Sequence, residues 1–377
     1  MAPPPGAGHV IYESEYVGTY LLTYYTLYEV PYVPLSQHTA YVQAQQAQVC
    51  TKSRGPRRKN SAEEEGGVGE VSQTLRSEVW AWRPRSCRDI MKVCGACQRI
   101  LPVDAFSVEQ QALRQSIRRC TECAASGNQL VLMKRGTTRE EDDVCSVCQM
   151  PLPIAVRESM LQPCCMKRVC NGCLLSARKS GIDNNGCPFC RAPFPGENEA
   201  LEMVRKRATV DDPLAICFIG CQHGYGGFGF VKDAMGAIEL CRRAASLGAK
   251  DAHYILAHLY REGSGEVVMD GKRSVEQFEK AAMQGHIFAR FNLGVMEYED
   301  GRKDIALQHF LISAKMGHED SMGKVQQLFM EGAATKADYD EAQERYDAAV
   351  EEMSSPSREE AEKIGPEKIQ DYGMSSP

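Results

Sequence analysis

The chain has 377 residues, with 44 Lys and Arg against 50 Asp and Glu and a formal net charge of −6. Such a length predicts two or three domains. No stretch reaches the about eighteen apolar residues that a membrane span needs, the nearest being residues 17–28. The start of the chain also lacks the basic segment and cleavage site of a secretory signal. We therefore expect a soluble intracellular protein of the cytoplasm or the nucleus.

Residues 1–80 are predicted to be a disordered, tyrosine-rich extension and linker. Eight tyrosines lie between Tyr12 and Tyr41, and no Lys or Arg precedes Lys52. This low-complexity composition does not build an apolar core, although it allows a short strand or helix. The basic run over residues 52–59 fits either a nuclear address or a solvated linker.

Twelve cysteines lie in six close pairs between residues 94 and 190, and no histidine lies among them. Five of the pairs have the spacing C-x2-C, which directs two sulfurs to one tetrahedral Zn2+, whereas a disulfide across so short a loop stabilises little. A catalytic zinc would keep an open position for water. Four thiolates per ion predict three structural zinc ions. The predicted ligands are Cys94, Cys97, Cys120, Cys123, Cys145, Cys148, Cys164, Cys165, Cys170, Cys173, Cys187 and Cys190.

The first predicted zinc module covers residues 85–130. We expect Phe106 to cover the metal and a helix from about Val108 to return the chain to the second cysteine pair. The spacing between the pairs suits a zinc ribbon or a treble-clef-like fold. The order C-x2-C, FS, C-x2-C resembles the small Stc-one-type zinc domains.

This first module is basic, whereas the end of the chain is acidic. Residues 83–139 carry eleven Lys and Arg against four Asp and Glu, and residues 319–377 carry six against fifteen. Two interpretations of this basic segment are open. Its side chains could contact nucleic-acid phosphates, or they could form a basic helix that is merely solvated. The side chains concerned are Arg114, Arg118 and Arg119.

The second predicted zinc module covers residues 141–196. Its cysteine pairs are separated by fifteen, four and thirteen residues. This order resembles the RING family, in which pairs one and three hold one zinc ion and pairs two and four hold the other. The resemblance implies a cross-braced fold with a first site of Cys145, Cys148, Cys170 and Cys173, and a second site of Cys164, Cys165, Cys187 and Cys190.

The module departs from the usual RING pattern in its second cysteine pair. Lys167 stands where most RING domains have histidine, and Cys164 and Cys165 are adjacent, so their side chains would ordinarily point apart. Either the loop is bent and both cysteines bind, or water or a carboxylate such as Asp183 completes the site.

The RING resemblance also implies a groove for a ubiquitin-conjugating enzyme. In that family a hydrophobic residue before the second ligand and a proline in the last pair form the groove. Val147 and Pro188 occupy these positions. An arginine after the eighth ligand helps to hold the charged ubiquitin closed, and here that residue is Arg191.

Residues 200–354 are predicted to form about four helical repeats. Small residues recur with a period of 37 at Ala215, Ala252 and Ala289, and a shorter fourth unit starts near Ser321. Glycines four residues before the next unit suggest left-handed helix caps. The pattern resembles Sel-one-like repeats, which are relatives of the tetratricopeptide repeat. An acidic helix would cap the array, and residues 355–377 are predicted to be a disordered acidic tail.

Other reactive side chains in the repeats are more typical of packing than of chemistry. Cys217, Cys221 and Cys241 fit buried small hydrophobic residues better than a metal or redox site. The glycine run over residues 224–230 lacks the Lys-Ser/Thr of a phosphate loop. The histidines lack ligand spacing and are expected at the surface or in packing, and they are His253, His258, His286, His309 and His318.

The predicted fold class is therefore an α+β multidomain protein. Small zinc-bound modules, one zinc ribbon or treble-clef-like and one cross-brace RING-like, precede an all-α solenoid of helix-turn-helix repeats. Two functions fit: a ubiquitin ligase or ligase subunit whose repeats bind protein partners, and a scaffold whose zinc modules are purely structural. A third candidate is a zinc protein that binds nucleic acid through its basic module.

Overall fold

The computed structural model describes residues 91–139, 143–180 and 186–371. One compact unit includes residues 91–131, and a second includes the described residues from 132 onward. The predicted tyrosine-rich extension, the basic run and Asp183 lie outside the described residues.

The first unit contains the first cysteine module, residues 91–131. Its two strands pair in antiparallel register, with Lys92 opposite Leu101, and the first cysteine pair lies in the loop between them. The strands are β1 (Met91–Val93) and β2 (Ile100–Pro102). A 3-10 turn (Val103–Ala105) and the short helices α1 (Val108–Ala112) and α2 (Thr121–Ala125) follow. A four-residue helix, α3 (Val131–Lys134), comes next in the chain.

The predicted return helix of this module is much shorter than expected. α1 ends at Ala112, and turns lead from there to Cys120. The Leu113 N–H donates to the Gln110 carbonyl at the helix end, at 3.3 Å. The carbonyls of Gln110 and Leu113 also accept hydrogen bonds from Arg118 Nε, at 3.1 and 3.0 Å, in place of the backbone donors that a longer helix would supply. The Arg118 guanidinium also lies over the Phe106 ring, 5.9 Å from its centroid. The arginine therefore organises the turn.

The second cysteine module, residues 143–180 and 186–196, is a hairpin followed by one helix. Ser159 pairs with Cys170 and Gln162 with Lys167, so the hairpin turn contains the adjacent cysteines. The elements are a 3-10 turn (Val156–Glu158), β3 (Ser159–Gln162), β4 (Lys167–Cys170) and α4 (Asn171–Lys179).

Helix α5 (Glu197–Ala208) leads into four antiparallel helix pairs, as the sequence period predicts. The pairs are α6 (Pro213–Tyr225) with α7 (Ala234–Ser246), α8 (Lys250–Glu262) with α9 (Gly271–Met283), α10 (Ile287–Glu299) with α11 (Lys303–Ala314), and α12 (Glu319–Met330) with α13 (Lys336–Met353).

The repeat period follows from packing and from chain turns. Ala215, Ala252, Ala289 and Ser321 each stand third in the first helix of a pair, and all are fully buried. Only a small side chain fits where these helices approach their neighbours closely. The glycines before each new pair have left-handed backbones, with φ of 98° at Gly248 and 93° at Gly317.

The second cysteine module and the first repeats share one hydrophobic core. Leu161 and Met166 from the hairpin are buried in the same cluster as Val204 of α5 and Ile216 of α6. Farther along, Arg290 of α10 is fully buried. It donates hydrogen bonds to the carbonyls of Leu132, Arg135, Gly136 and Ala282 at 2.5 to 3.3 Å, which holds residues 132–136 against the repeats.

The end of the chain differs from the predicted disordered tail. Two helices, α14 (Pro356–Ile364) and α15 (Pro366–Asp371), follow the acidic helix α13. Ala361 and Ile369 are buried in one cluster with Leu174 and Leu175 of α4. The acidic composition of this segment conceals these two apolar positions, which gain stability by covering α4. Among the described helices, none is long and apolar enough to cross a membrane.

Candidate metal centres

The twelve predicted ligand cysteines come together in three groups of four. Within each group all the sulfur atoms lie within 4.8 Å of one another, and the groups match the predicted pairing of the cysteines. Site I lies in the first cysteine module, and sites II and III lie in the second. Site I is Cys94, Cys97, Cys120 and Cys123, site II is Cys145, Cys148, Cys170 and Cys173, and site III is Cys164, Cys165, Cys187 and Cys190.

The chain order of sites II and III is interleaved, which is the cross-brace that the RING resemblance implies. The first and third cysteine pairs of the module form site II, and the second and fourth form site III. Each site therefore ties together segments that are more than twenty residues apart. A metal ion in either site would therefore restrain both of the segments that supply its cysteine pairs.

The same tight turn surrounds one C-x2-C pair of each site, namely the first pair of sites I and II and the last pair of site III. The residue after the second cysteine has a left-handed backbone with φ of 61°, at Gln98, Gln149 and Arg191. Its N–H donates to the carbonyl of the first cysteine of the pair, at 2.8 to 2.9 Å. In this turn both sulfurs of a C-x2-C pair face one point.

Sites I and II take their other two sulfurs from the first turn of a helix. Cys120 precedes α2 and Cys170 precedes α4, in each case at the N-cap position. The Cys120 N–H lies 3.3 Å from Cys94 Sγ, and the Cys170 N–H lies 3.3 Å from Cys145 Sγ. A helix N-terminus favours negative charge, so both sites suit thiolates. A cysteine turn joined to a helix start fits the treble-clef-like expectation.

The sulfur separations fit a tetrahedral zinc ion. Four sulfurs about 2.3 Å from a central Zn2+ are about 3.8 Å apart in a regular tetrahedron. Cys145 and Cys173 Sγ are 3.8 Å apart, and Cys148 and Cys170 Sγ are 3.9 Å apart. A disulfide would need about 2.05 Å. The described cysteines form no disulfide.

Site III contains both adjacent cysteines. Cys164 Sγ is 3.3 Å from Cys190 Sγ, and Cys165 Sγ is 3.9 Å from Cys187 Sγ. Strand alternation does not separate them, because they occupy the hairpin turn, which is closed by Met166 at φ 52°. This geometry favours ligation by both cysteines. Lys167 is exposed at the start of β4.

The thiols of site III compete for protons. The hydrogen bond from the Cys165 thiol lowers the pKa of Cys187 to about 5, whereas burial raises the pKa of Cys164 to about 12. Zinc binds thiolates, so loading this site must release protons. Occupancy is therefore expected to decrease as the pH falls.

Groups outside the ligand set support each site. At site I, Arg99 Nε lies 3.3 Å from Cys97 Sγ and Asn128 Nδ2 lies 3.4 Å from Cys123 Sγ. At site II, Arg358 Nη2 lies 3.5 Å from Cys148 Sγ. At site III, Arg207 donates from Nε and Nη2 to the Cys164 carbonyl, at 3.1 and 3.0 Å. Such partners orient ligands and tune the metal.

Arg207 and Arg358 were not among the predicted site residues. Both come from helices outside the cysteine module, α5 and α14, and no local spacing marks them. In the sequence each is one arginine among many charged residues, and such residues are usually exposed to solvent. Only the stacking of these helices against the module places them beside the sites.

Phe106 occupies its predicted place over site I. It is buried in one cluster with Cys94, Cys120 and Cys123. Among the three basic candidates for phosphate contact, Arg118 is committed to the turn and to Phe106, and Arg114 Nε donates to Ser116 Oγ at 3.1 Å. Arg119 is half-buried. The predicted exposed basic helix is thus a partly buried turn.

Two apolar side chains stand exposed on the cysteine turns of the second module. Val147 is 41% exposed and Phe189 is 47% exposed, and they hold the same position in their respective C-x2-C pairs. Pro188 is half-buried, and Arg191 is exposed. Contact of these residues with a conjugating enzyme stays a prediction.

The other reactive residues of the repeats serve packing. Cys217, Cys221 and Cys241 are buried in the core of the first repeats, as the sequence analysis favours. Burial raises the pKa of Cys241 to about 12, so its thiol stays protonated. The glycine run lies in the loop between α6 and α7, where Gly226 ends α6 with a left-handed backbone. His258, His286, His309 and His318 are buried.

No family model and no curated protein matches the sequence. One similar solved structure is a Sel1 repeat protein from Oxalobacter formigenes, with 27% identity, a TM-score of 0.37, and coverage of 48% of this chain and 71% of that one. Another is a protective antigen of uropathogenic Escherichia coli with an SLR fold, with 20% identity, a TM-score of 0.32, and coverage of 54% of this chain and 46% of that one. Because both TM-scores are low, the repeat architecture rests on the four helix pairs themselves.

Proposed function

We propose that this protein is a zinc-dependent RING-type ubiquitin ligase, or a ligase subunit, whose helical repeats bind protein partners. The observation that carries the proposal is the exposure of Val147 and Phe189 on the two cysteine turns of a cross-braced module. What favours a protein-binding surface is that the two exposed apolar side chains hold the same position in two cysteine turns, where they offer apolar contact area to a partner. Arg191 follows the last ligand, where the RING resemblance implies a contact with ubiquitin.

A scaffold with purely structural zinc modules is the alternative. Its support is the shared core of the second cysteine module and the first repeats, in which Leu161 and Met166 are buried with repeat residues. A module that is part of the repeat core can have the role of shaping the repeats. Binding of nucleic acid is weaker, because Arg118 is already engaged within the first cysteine module.

The test is ubiquitin transfer by the full-length protein with a panel of conjugating enzymes. Wild-type protein should modify itself, and Val147→Asp should abolish the reaction because a desolvation cost replaces apolar contact. Val268→Asp is the matched control, since Val268 is 82% exposed and far from the cysteine turns in sequence. Native mass spectrometry should find equal zinc content in both variants.

A second pair of variants separates transfer from binding. Arg191→Ala should slow transfer while leaving affinity for the uncharged conjugating enzyme nearly unchanged. Gln149→Ala is the control, because Gln149 has the same φ of 61° in the other cysteine turn and so carries the same backbone cost. No transfer by wild-type protein with any conjugating enzyme, or equal rates in all variants, would favour the scaffold.

A further inference from the structure

The C-terminal helix α14 lies directly against helix α4 of the second cysteine module. A Cβ atom at Gly172 would stand 2.8 Å from the Arg358 backbone nitrogen, so glycine at this position permits the close approach. Ala361 of α14 is buried in one cluster with Leu174 and Leu175 of α4. The contacts of Gly172 and Ala361 position α14 at the start of α4, where two ligands of site II lie. Lys179, at the other end of α4, forms a solvent-exposed ion pair with Glu360 that contributes little to this docking.

This packing carries the Arg358 side chain into the first loop of the module. Arg358 is only 8% exposed. Its Nη1 donates to the carbonyls of Pro151 and Met353, at 2.7 and 2.6 Å. Its Nη2 lies 3.5 Å from both Cys148 Sγ and the Met150 carbonyl. The guanidinium thus joins the end of the repeats to the loop that holds Cys148.

The charge of the site explains why a buried cation belongs there. Four thiolates around one Zn2+ carry a net charge of −2, and this charge is costly in a partly buried site unless a cation or N–H donors face the sulfurs. Site I obtains such donors locally, from Arg99 and Asn128. At site II the guanidinium comes from a residue 210 positions along the chain.

We propose that Arg358 is a positioning residue for site II, and that retention of zinc there depends on the docked C-terminal helix. The guanidinium neutralises the Cys148 thiolate and fixes the loop through the carbonyls of Met150 and Pro151. The inference concerns metal retention alone, so it holds whether or not the protein transfers ubiquitin.

The test compares full-length, zinc-loaded variants. Arg358→Met keeps an apolar stem and removes the charge, and Arg358→Lys keeps the charge and removes the two-armed geometry. Glu360→Gln is the matched control, because it removes the ion pair with Lys179 from the same helix without touching a sulfur. The first measurement is zinc release to a chromophoric chelator in excess. Arg358→Met should release one of its three ions about tenfold faster than wild type, with Arg358→Lys between them and Glu360→Gln unchanged.

A second measurement identifies the site. Cys148 and Cys190 are both exposed, but they belong to sites II and III respectively. Alkylation with N-ethylmaleimide, followed by peptide mass spectrometry, should show faster modification of Cys148 in Arg358→Met and an unchanged rate at Cys190. General unfolding would accelerate both cysteines and would overturn the proposal. Wild-type release and labelling rates in Arg358→Met, or equal effects of Glu360→Gln, would overturn it as well.

Discussion

His286 and His318 are the N-cap residues of α10 and α12, the first helices of successive repeats, and each acts as a hydrogen-bond acceptor. His286 Nδ1 accepts from the Ala289 N–H at 3.1 Å, and His318 Nδ1 accepts from the Ser321 N–H at 3.3 Å. An imidazole can accept in this way only while that nitrogen is unprotonated. Burial lowers the pKa of both to about 4, although Asp251, 3.6 Å from His286, opposes the shift.

These two histidines should make stability depend on pH. An unfolded chain protonates them near pH 6.5, whereas the folded protein does so only near pH 4, so the unfolded state binds more protons between these values. Their contribution is therefore complete above pH 6.5 and is lost as the pH falls towards 4, at up to about 1.4 kcal/mol per pH unit for each group.

The double variant His286→Asn and His318→Asn isolates the effect. Asparagine caps a helix without titrating, so urea unfolding of the variant should lose less stability between pH 7 and pH 5 than that of wild type. Zinc loss in acid affects both proteins and cancels in the difference. Parallel pH curves for the two proteins would show that the histidines do not contribute.

At the scale of elements, the helix pairs are fitted to each other at individual positions. Within the third pair, a Cβ atom at Gly294 of α10 would lie 2.6 Å from the Phe310 ring of α11. Phe310 is fully buried, so the ring has little room to move. By contrast, a Cβ atom at Gly323 of α12 would have nothing within 4 Å.

Two glycine-to-alanine variants should therefore have opposite effects. Gly294→Ala should lower the free energy of unfolding by about 1 to 3 kcal/mol, because overpacking outweighs the better helix propensity of alanine. Gly323→Ala should raise it by up to about 1 kcal/mol, because only the propensity changes. Chemical denaturation followed by circular dichroism measures both. A stabilised Gly294→Ala protein would contradict the close contact between α10 and α11.

At the scale of the whole molecule, the second cysteine module and the repeats are stabilised together. Sites II and III belong to the same compact unit as the repeats. Leu161 and Met166 contribute to the repeat core from the hairpin that holds site III. Each structural zinc ion contributes on the order of 10 kcal/mol to folding its segment. Loss of metal from the second module should therefore also lower the stability of the repeats.

Zinc content and repeat stability should accordingly change together. Native mass spectrometry of the reduced protein should find three zinc ions, and a strong chelator should remove them. Removal should also lower the melting temperature of the helical signal at 222 nm, since Leu161 and Met166 lose their fixed hairpin. A mass with one ion or none would contradict three sites, and an unchanged melting temperature would contradict the shared core.

The sequence by itself determined the features that depend on local spacing. Two residues between cysteines suffice to turn both sulfurs to one point, so five of the six cysteine pairs were predictable from spacing, whereas the grouping of pairs in the second module was what the RING resemblance implied. The period of 37 was predictable in the same way, because Ala215, Ala252 and Ala289 each need a small side chain at one helix crossing. The ligase function remains a proposal from a resemblance.

Only the tertiary structure decided which distant residues meet. Local spacing says nothing about the contact of Arg358 with Cys148, which depends on how α14 returns to α4. The helical structure of α14 and α15 was not predictable from the sequence either, because Ala361 and Ile369 gain stability only by packing against Leu174 and Leu175. A hairpin turn brings Cys164 and Cys165 to one site. These features arise from long-range packing, whose energy belongs to pairs of surfaces and to neither segment alone.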